Sequence, residues 1–181
     1  GQYHRNTAYR PNFAYYSSSH NPNLSCRLEF QRDVPEGMLH SRFGADIASG
    51  MSAFEAKEFA QAWRLLNPLA EAGDAQAQHR VAIMCQNGLG MVANPLMAYK
   101  WMHAAAEQGY AMAEHGLGFM YLYGECTEKN EKEAAKWFRN AAEHGLTGSA
   151  MTLGMMYEQG LGVEKNEAEA KKWYERAEPK A

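Results

Sequence analysis

The sequence predicts an all-α fold, an α-solenoid of about four antiparallel helix pairs with an irregular N-terminal arm. Two observations predict it. A step of 36 residues relates Trp101, Trp137 and Trp173, and the same step relates Gly88, Gly124 and Gly160, and Asn94, Asn130 and Asn166. Lys100, Lys136 and Lys172 keep that register, as do Ala98, Ala134 and Ala170, and Met84, Met120 and Met156. Within each step, apolar residues recur at the i, i+4, i+7, i+8 spacing of a one-sided helix. One helix pair cannot bury such a stripe by itself, so the pairs must stack on one another.

In chain order, residues 1–37 lie outside the repeat. Their Asn, Ser and Pro content opposes long helices, while Tyr3, Tyr9, Phe13, Tyr15 and Tyr16 supply aromatic anchors. Two readings of this arm stand side by side. It docks on a partner through Tyr3 to Tyr16, or it folds back so that Leu24, Leu28, Phe30 and Val34 cover the open end of the first repeat. The repeat domain is expected over residues 38–181, in units 38–73, 74–109, 110–145 and 146–181. The first unit is divergent and keeps only the second half of the pattern, where "FAQAWRLLNPLAEAG" aligns with "LMAYKWMHAAAEQG".

The unit 110–145 shows the helix pair most clearly. Its first helix, "AMAEHGLGFMYLYG", sets Ala113, Leu117, Met120, Tyr121 and Gly124 on one face, and Gly124 marks a left-handed end. A loop, "ECTEKN", leads to a second helix, "EKEAAKWFRNAAEH", which closes at Gly145. Small residues at Ala113, Gly118, Ala134, Ala141 and Ala142 allow close helix approach. The runs "EKNEKEAAK" and "EKNEAEAKK" read as solvated faces with pairs such as Glu128–Lys132 and Glu167–Lys171.

The pattern formed by Ala111, Ala113, Leu117, Gly118, Met120, Tyr121, Gly124, Asn130, Ala134, Trp137, Ala141, Ala142, Glu143 and Gly145 resembles the Sel-one-like repeat, a tetratricopeptide-like family. Two other units carry the loop as "GLGM" and "GLGV"; this one has "GECT", so Cys126 replaces a loop glycine. The divergent opening unit looks like the variant first repeat of bacterial members. The resemblance implies a non-enzymatic adaptor whose concave face, lined by the first helices, holds other proteins.

Composition narrows the function classes. A net charge of -3 opposes nucleic-acid binding, which needs a clustered basic surface. No apolar run approaches the roughly 20 residues of a membrane span. The chain starts at Gly1 without methionine, which is read as either a removed targeting peptide or an engineered terminus; the first reading gives an exported, periplasmic expectation. Cys26, Cys85 and Cys126 form neither a metal-ligand pair nor a disulfide framework. Cys85 shares its row with Tyr121 and Tyr157 and is expected in the core, Cys126 is expected exposed, and Cys26 pairs with Cys126 only if the arm crosses the repeats in an oxidising compartment.

The expected partner surface is the row opposite the buried face: Met112, His115, Phe119 and Leu122, with Gln76, His79, Ile83 and Gln86 one repeat earlier, and Met151, Met155 and Glu158 one repeat later. This row is too apolar for a plain solvated face, and methionine adapts to irregular partners. A copper-binding alternative draws on His79, Met112, His115, Met151 and Met155, although their spacing fixes no geometry. No motif calls for a cofactor. The string "AEHGL" occurs at 113–117 and 142–146, a step of 29 rather than 36, so its copies occupy unrelated positions. His144 then reads as a structural histidine at a helix C-terminus, and Glu114 with His115 makes a poor catalytic pair because adjacent helical side chains diverge by about 100°.

Overall fold

The computed structural model describes residues 36–179, with side chains placed from Asp46 onward. The aromatic anchors Tyr3, Tyr9, Phe13, Tyr15 and Tyr16, together with Cys26, lie outside the described residues. Those residues form eight helices and no strand: α1 (Glu36–Glu55), α2 (Phe59–Glu71), α3 (Ala75–Asn87), α4 (Pro95–Glu107), α5 (Ala111–Tyr123), α6 (Glu131–Glu143), α7 (Thr147–Gln159) and α8 (Glu167–Ala177). The paired helices of the α-solenoid follow the 36-residue step. Two compact units result, with the division falling at Ala104–Ala105 inside α4.

In the first unit, α1 and α2 are joined by three residues, of which Lys57 is left-handed at φ 61°. Leu66 and Leu69 of α2, Val81 and Met84 of α3, and Met97 and Trp101 of α4 are buried. Cys85 is also buried, as its row requires. Asp74 caps α3 by accepting the Ala77 N–H at 2.8 Å, and Asn94 accepts the Met97 N–H ahead of Pro95. That order, a polar cap followed by a proline that needs no N–H partner, starts a helix economically. Arg80 of α3 lies 4.9 Å from the centre of the Phe54 ring and 3.7 Å from Glu55, tying α3 to α1.

In the second unit, Leu122, Phe138, Leu153, Met156 and Trp173 bring α5, α6, α7 and α8 into one core. Asn130 and Asn166 each accept the N–H three residues on, at 3.2 and 3.1 Å, which gives the periodic asparagine its physical role as helix cap. Gly124 ends α5 in the left-handed region at φ 66° and donates to the Met120 carbonyl. Gly162 shows the closest approach: a Cβ there would stand 2.1 Å from the Glu131 carbonyl oxygen, so only glycine lets this loop rest on the start of α6. Cys126, at the corresponding place in its own loop, is left-handed at φ 64° despite its side chain.

Two expectations change here. Cys126 is half-buried rather than exposed, because its loop folds inward; burial, reinforced by the Glu125 carboxylate, pushes its thiol up to about 12. The pairs Glu128–Lys132 and Glu167–Lys171 do not form among the described residues. Lys129–Glu131 at 3.3 Å and Lys172–Glu169 at 3.2 Å form instead, and such exposed pairs contribute little. Replacing Asn166 by Ala is expected to cost about 1 kcal/mol. A thermal melt should then fall by a few degrees, with the helical signal at low temperature unchanged.

Candidate partner-binding surface

Helix α5 carries the candidate surface because of what Gly118 permits. A Cβ at Gly118 would stand 2.8 Å from the Phe138 ring, so glycine lets α6 press its phenylalanine against α5. Phe138 is fully buried and supports an aromatic ladder above it. His115 meets Phe119 edge-on with centroids 4.8 Å apart, and Phe119 meets Phe138 in the same way at 4.9 Å. Phe119 then stacks on Tyr123 at 5.8 Å. The ladder follows directly from the i, i+4, i+8 spacing, and each such contact contributes about 0.5–1.5 kcal/mol beyond area. Around it, Tyr123 is 38% exposed, Met112 45% and Met151 49%.

His115 is held neutral. Its Nδ1 lies 2.6 Å from Ser149 Oγ at the start of α7, and burial lowers its pKa to about 4. A serine beside an imidazole suggests nucleophile chemistry, but Ser149 is completely buried and no substrate reaches it. The contact joins helices. Its effect on the surface is to leave the ladder uncharged at neutral pH.

The row expected from the sequence divides into three groups. Gln76, Met112, Met151 and Glu158 are exposed, and Glu158 accepts the Tyr174 hydroxyl at 2.6 Å. His115, Phe119 and Met155 are half-buried. His79, Ile83, Gln86 and Leu122 are buried, which corrects their placement on an open face. The reason is helix phase. Leu122 lies roughly 80° around α5 from Met112, whereas Tyr123 lies roughly 20° from it. The exposed face is therefore turned towards Tyr123, which sequence reasoning missed although its i+4 spacing from Phe119 was available. In the first unit the same phase takes Ile83 and Gln86 inward.

A second correction concerns "AEHGL". The copies occupy different positions in the repeat, yet they meet: His144 Nδ1 of the second copy donates to Glu114 Oε1 of the first, at 2.5 Å. Glu114 is 2% exposed, so His144 partners a buried carboxylate rather than merely ending a helix. Glu114 and His115 indeed diverge, one towards α6 and the other towards α7. Among the described residues, no three His, Cys, Asp or Glu side chains gather as a metal site, and no observation supports the copper alternative. None of the described helices is long and apolar enough to cross a membrane.

Comparison with known proteins fits this geometry. The Sel1 repeat model matches residues 75–110, 111–146 and 149–178, which together make up more than half of the chain. The chain belongs to the Sel1 repeat family. A Sel1 repeat protein from Oxalobacter formigenes is 36% identical with a TM-score of 0.70, over 73% of this chain and 53% of its own. The protective antigen c5321 of uropathogenic Escherichia coli, described as displaying an SLR fold, is 30% identical with a TM-score of 0.69, over 76% of this chain and 31% of its own. This chain thus spans about half the length of the first and under a third of the second. Cysteine rich protein B of Helicobacter pylori shares the fold at 21% identity and a TM-score of 0.50, over 71% of this chain and 85% of its own. No curated protein matches the chain.

Two measurements check the Sel1 surface. Leu122→Asp places an unpaired charge in the core and should destabilise by about 3 kcal/mol or more, whereas Tyr123→Asp should change the melt by less than about 1 kcal/mol. The pH dependence follows from His115, whose folded pKa of about 4 lies below its ordinary 6.5. The unfolded chain therefore takes up this proton first. Its contribution, about 3 kcal/mol, is present above pH 6.5 and is lost as pH falls towards 4. Denaturant titrations across that range should show a steeper acid loss in the wild type than in His115→Gln.

Proposed function

We propose that this chain is a non-enzymatic interaction scaffold, or an accessory subunit of a larger assembly, which holds a protein partner on the α5–α7 surface. Sel1 repeats serve protein–protein interaction as a family, and the ladder adds a place for it. The observation that carries the reading is the exposed, uncharged set of Tyr123, Met112 and Met151 around half-buried Phe119. Large apolar side chains grouped on a folded surface mark a binding site, and flexible thioethers beside rigid rings suit an irregular partner. The buried Phe138 and the Ser149 contact fix the ladder in advance, which lowers the entropy cost of binding.

The proposal includes an exported, periplasmic location. Fractionation of native cells checks it. The interaction itself is tested by capture from native cells with mass spectrometry, comparing the wild type with Tyr123→Asp/Met151→Asp. Both sites are exposed, so the melt should stay within about 1 kcal/mol. Proteins retained by the wild type should be lost from the variant by tenfold or more, about 1.4 kcal/mol. An identical retained set would overturn the assignment of this surface.

A further inference from the structure

Exposed methionine is confined to one place. Among the side chains placed from Asp46 onward, Met112 and Met151 are the only exposed methionines, and both lie on the α5–α7 surface. Met112 stands one turn before His115 on α5, and Met151 stands two residues beyond Ser149, the partner of His115. The other thioethers of this unit pack: Met120 and Met156 are buried, and Met155 rests half-buried on the core cluster. A thioether sulfur reacts with an oxidant without ionising, so access sets its rate. The nearest thiol in kind competes poorly. Burial, reinforced by the Glu125 carboxylate, holds Cys126 protonated with its pKa pushed up to about 12, whereas oxidants attack the thiolate.

We propose that Met112 and Met151 are modification sites at which a peroxide oxidises the thioether to the sulfoxide and so releases the protein partner, while the helices stay folded. The proposal rests on the interaction reading above and adds its regulation. In the reaction a sulfur lone pair attacks one peroxide oxygen, an S–O bond forms and the O–O bond breaks. Sulfur loses two electrons and the peroxide gains them; with hydrogen peroxide the second oxygen leaves as water after proton transfer. The product is polar and chiral where the thioether was apolar and flexible. A partner fitted to an uncharged, apolar set must then strip water from two strong sulfoxide acceptors. Its binding weakens by about tenfold or more, about 1.4 kcal/mol. The core keeps its packing, because neither side chain belongs to it. The change is also reversible: reductases specific for each sulfoxide epimer remove the oxygen as water while two thiols form a disulfide.

Hydrogen peroxide, applied to the purified full-length chain and followed by mass spectrometry, tests this. Met112 and Met151 should each gain one oxygen about tenfold faster than buried Met120 and Met156, with the helical signal and the melt retained. Proteins captured from native cells by the untreated chain should fall about tenfold or more on the oxidised chain, and return after treatment with the two reductases. In Met112→Leu/Met151→Leu, which has no sulfur to oxidise at these sites, peroxide should leave retention at the variant's own untreated level. Equal oxidation of all four methionines would overturn the proposal, and so would a melt that collapses on oxidation, since partner release would then follow from unfolding. Recovery with dithiothreitol alone would also overturn it, because that reagent reverses cysteine products and leaves sulfoxides. Peroxide-dependent loss from the leucine variant would do the same. Full retention by the oxidised wild type, together with loss from Tyr123→Asp/Met151→Asp, removes the switch and leaves the interaction surface standing. Identical retained sets on every chain remove both.

Discussion

Backbone meeting backbone at the loops of two repeats constrains much of this structure. Gly162 rests on the Glu131 carbonyl so closely that a Cβ would stand 2.1 Å from its oxygen, and Gly90 rests on the Phe59 carbonyl with the corresponding distance at 2.4 Å. The two contacts lie in different units, each internal to its own, and both partners are displaced by two repeat lengths. A loop that touches the second helix of the preceding repeat through backbone leaves almost no freedom in how those pairs stack. Once that spacing is fixed, Gly118 and Gly154 must be small, because Phe138 and Tyr174 close on them to within 2.8 and 2.7 Å of where a Cβ would be. The packing is specified by absent side chains as much as by present ones.

Such close stacking also decides the state of the polar groups. Glu114 is driven almost entirely out of water, and a buried carboxyl group needs a hydrogen-bond partner. His144 supplies it from the end of α6, itself half-exposed and therefore cheap to orient. His115 has no carboxylate partner: burial favours its neutral form, and the Ser149 hydroxyl satisfies Nδ1. Two neighbouring residues thus find different partners because they leave the helix in different directions. That divergence leaves a neutral imidazole beside the candidate surface.

The repeat, the helix pairs and the glycine ends were legible because each is a local demand repeated in register. Gly124 and Gly160 both end helices in the left-handed region, as their spacing implied. Asn130 and Asn166 stood out in the same way, although their role as caps emerged only from the bonds they make. The surface was harder to read. Helical periodicity gives a face, but a phase error of less than one residue exchanges Leu122 for Tyr123, and only packing decides between them. Glu114 and His144 lie thirty positions apart, so their pairing depends on how α5 crosses α6. Ser149 carried a signal in retrospect: it is polar where the register has Ala77 and Ala113, a fully buried position that tolerates a hydroxyl only with a partner.

Exposure along these helices follows from which neighbour covers each turn, and this explains why the apolar strip exists at all. The N-terminal end of α7 covers His115 through Ser149, so that histidine is drawn inward while Met151, two residues further along α7, is left in solvent. The stacking that buries one member of the repeated row therefore exposes its successor. A solvated position would ordinarily favour a charge, yet α7 carries Met151 and Met155 on this face and reaches a carboxylate only at Glu158. Neither methionine improves the core cluster as Leu153 and Met156 do, although Met155 touches it. Met151 is 49% exposed and adds little to the fold, whereas Met155 packs against the core cluster from its half-buried position.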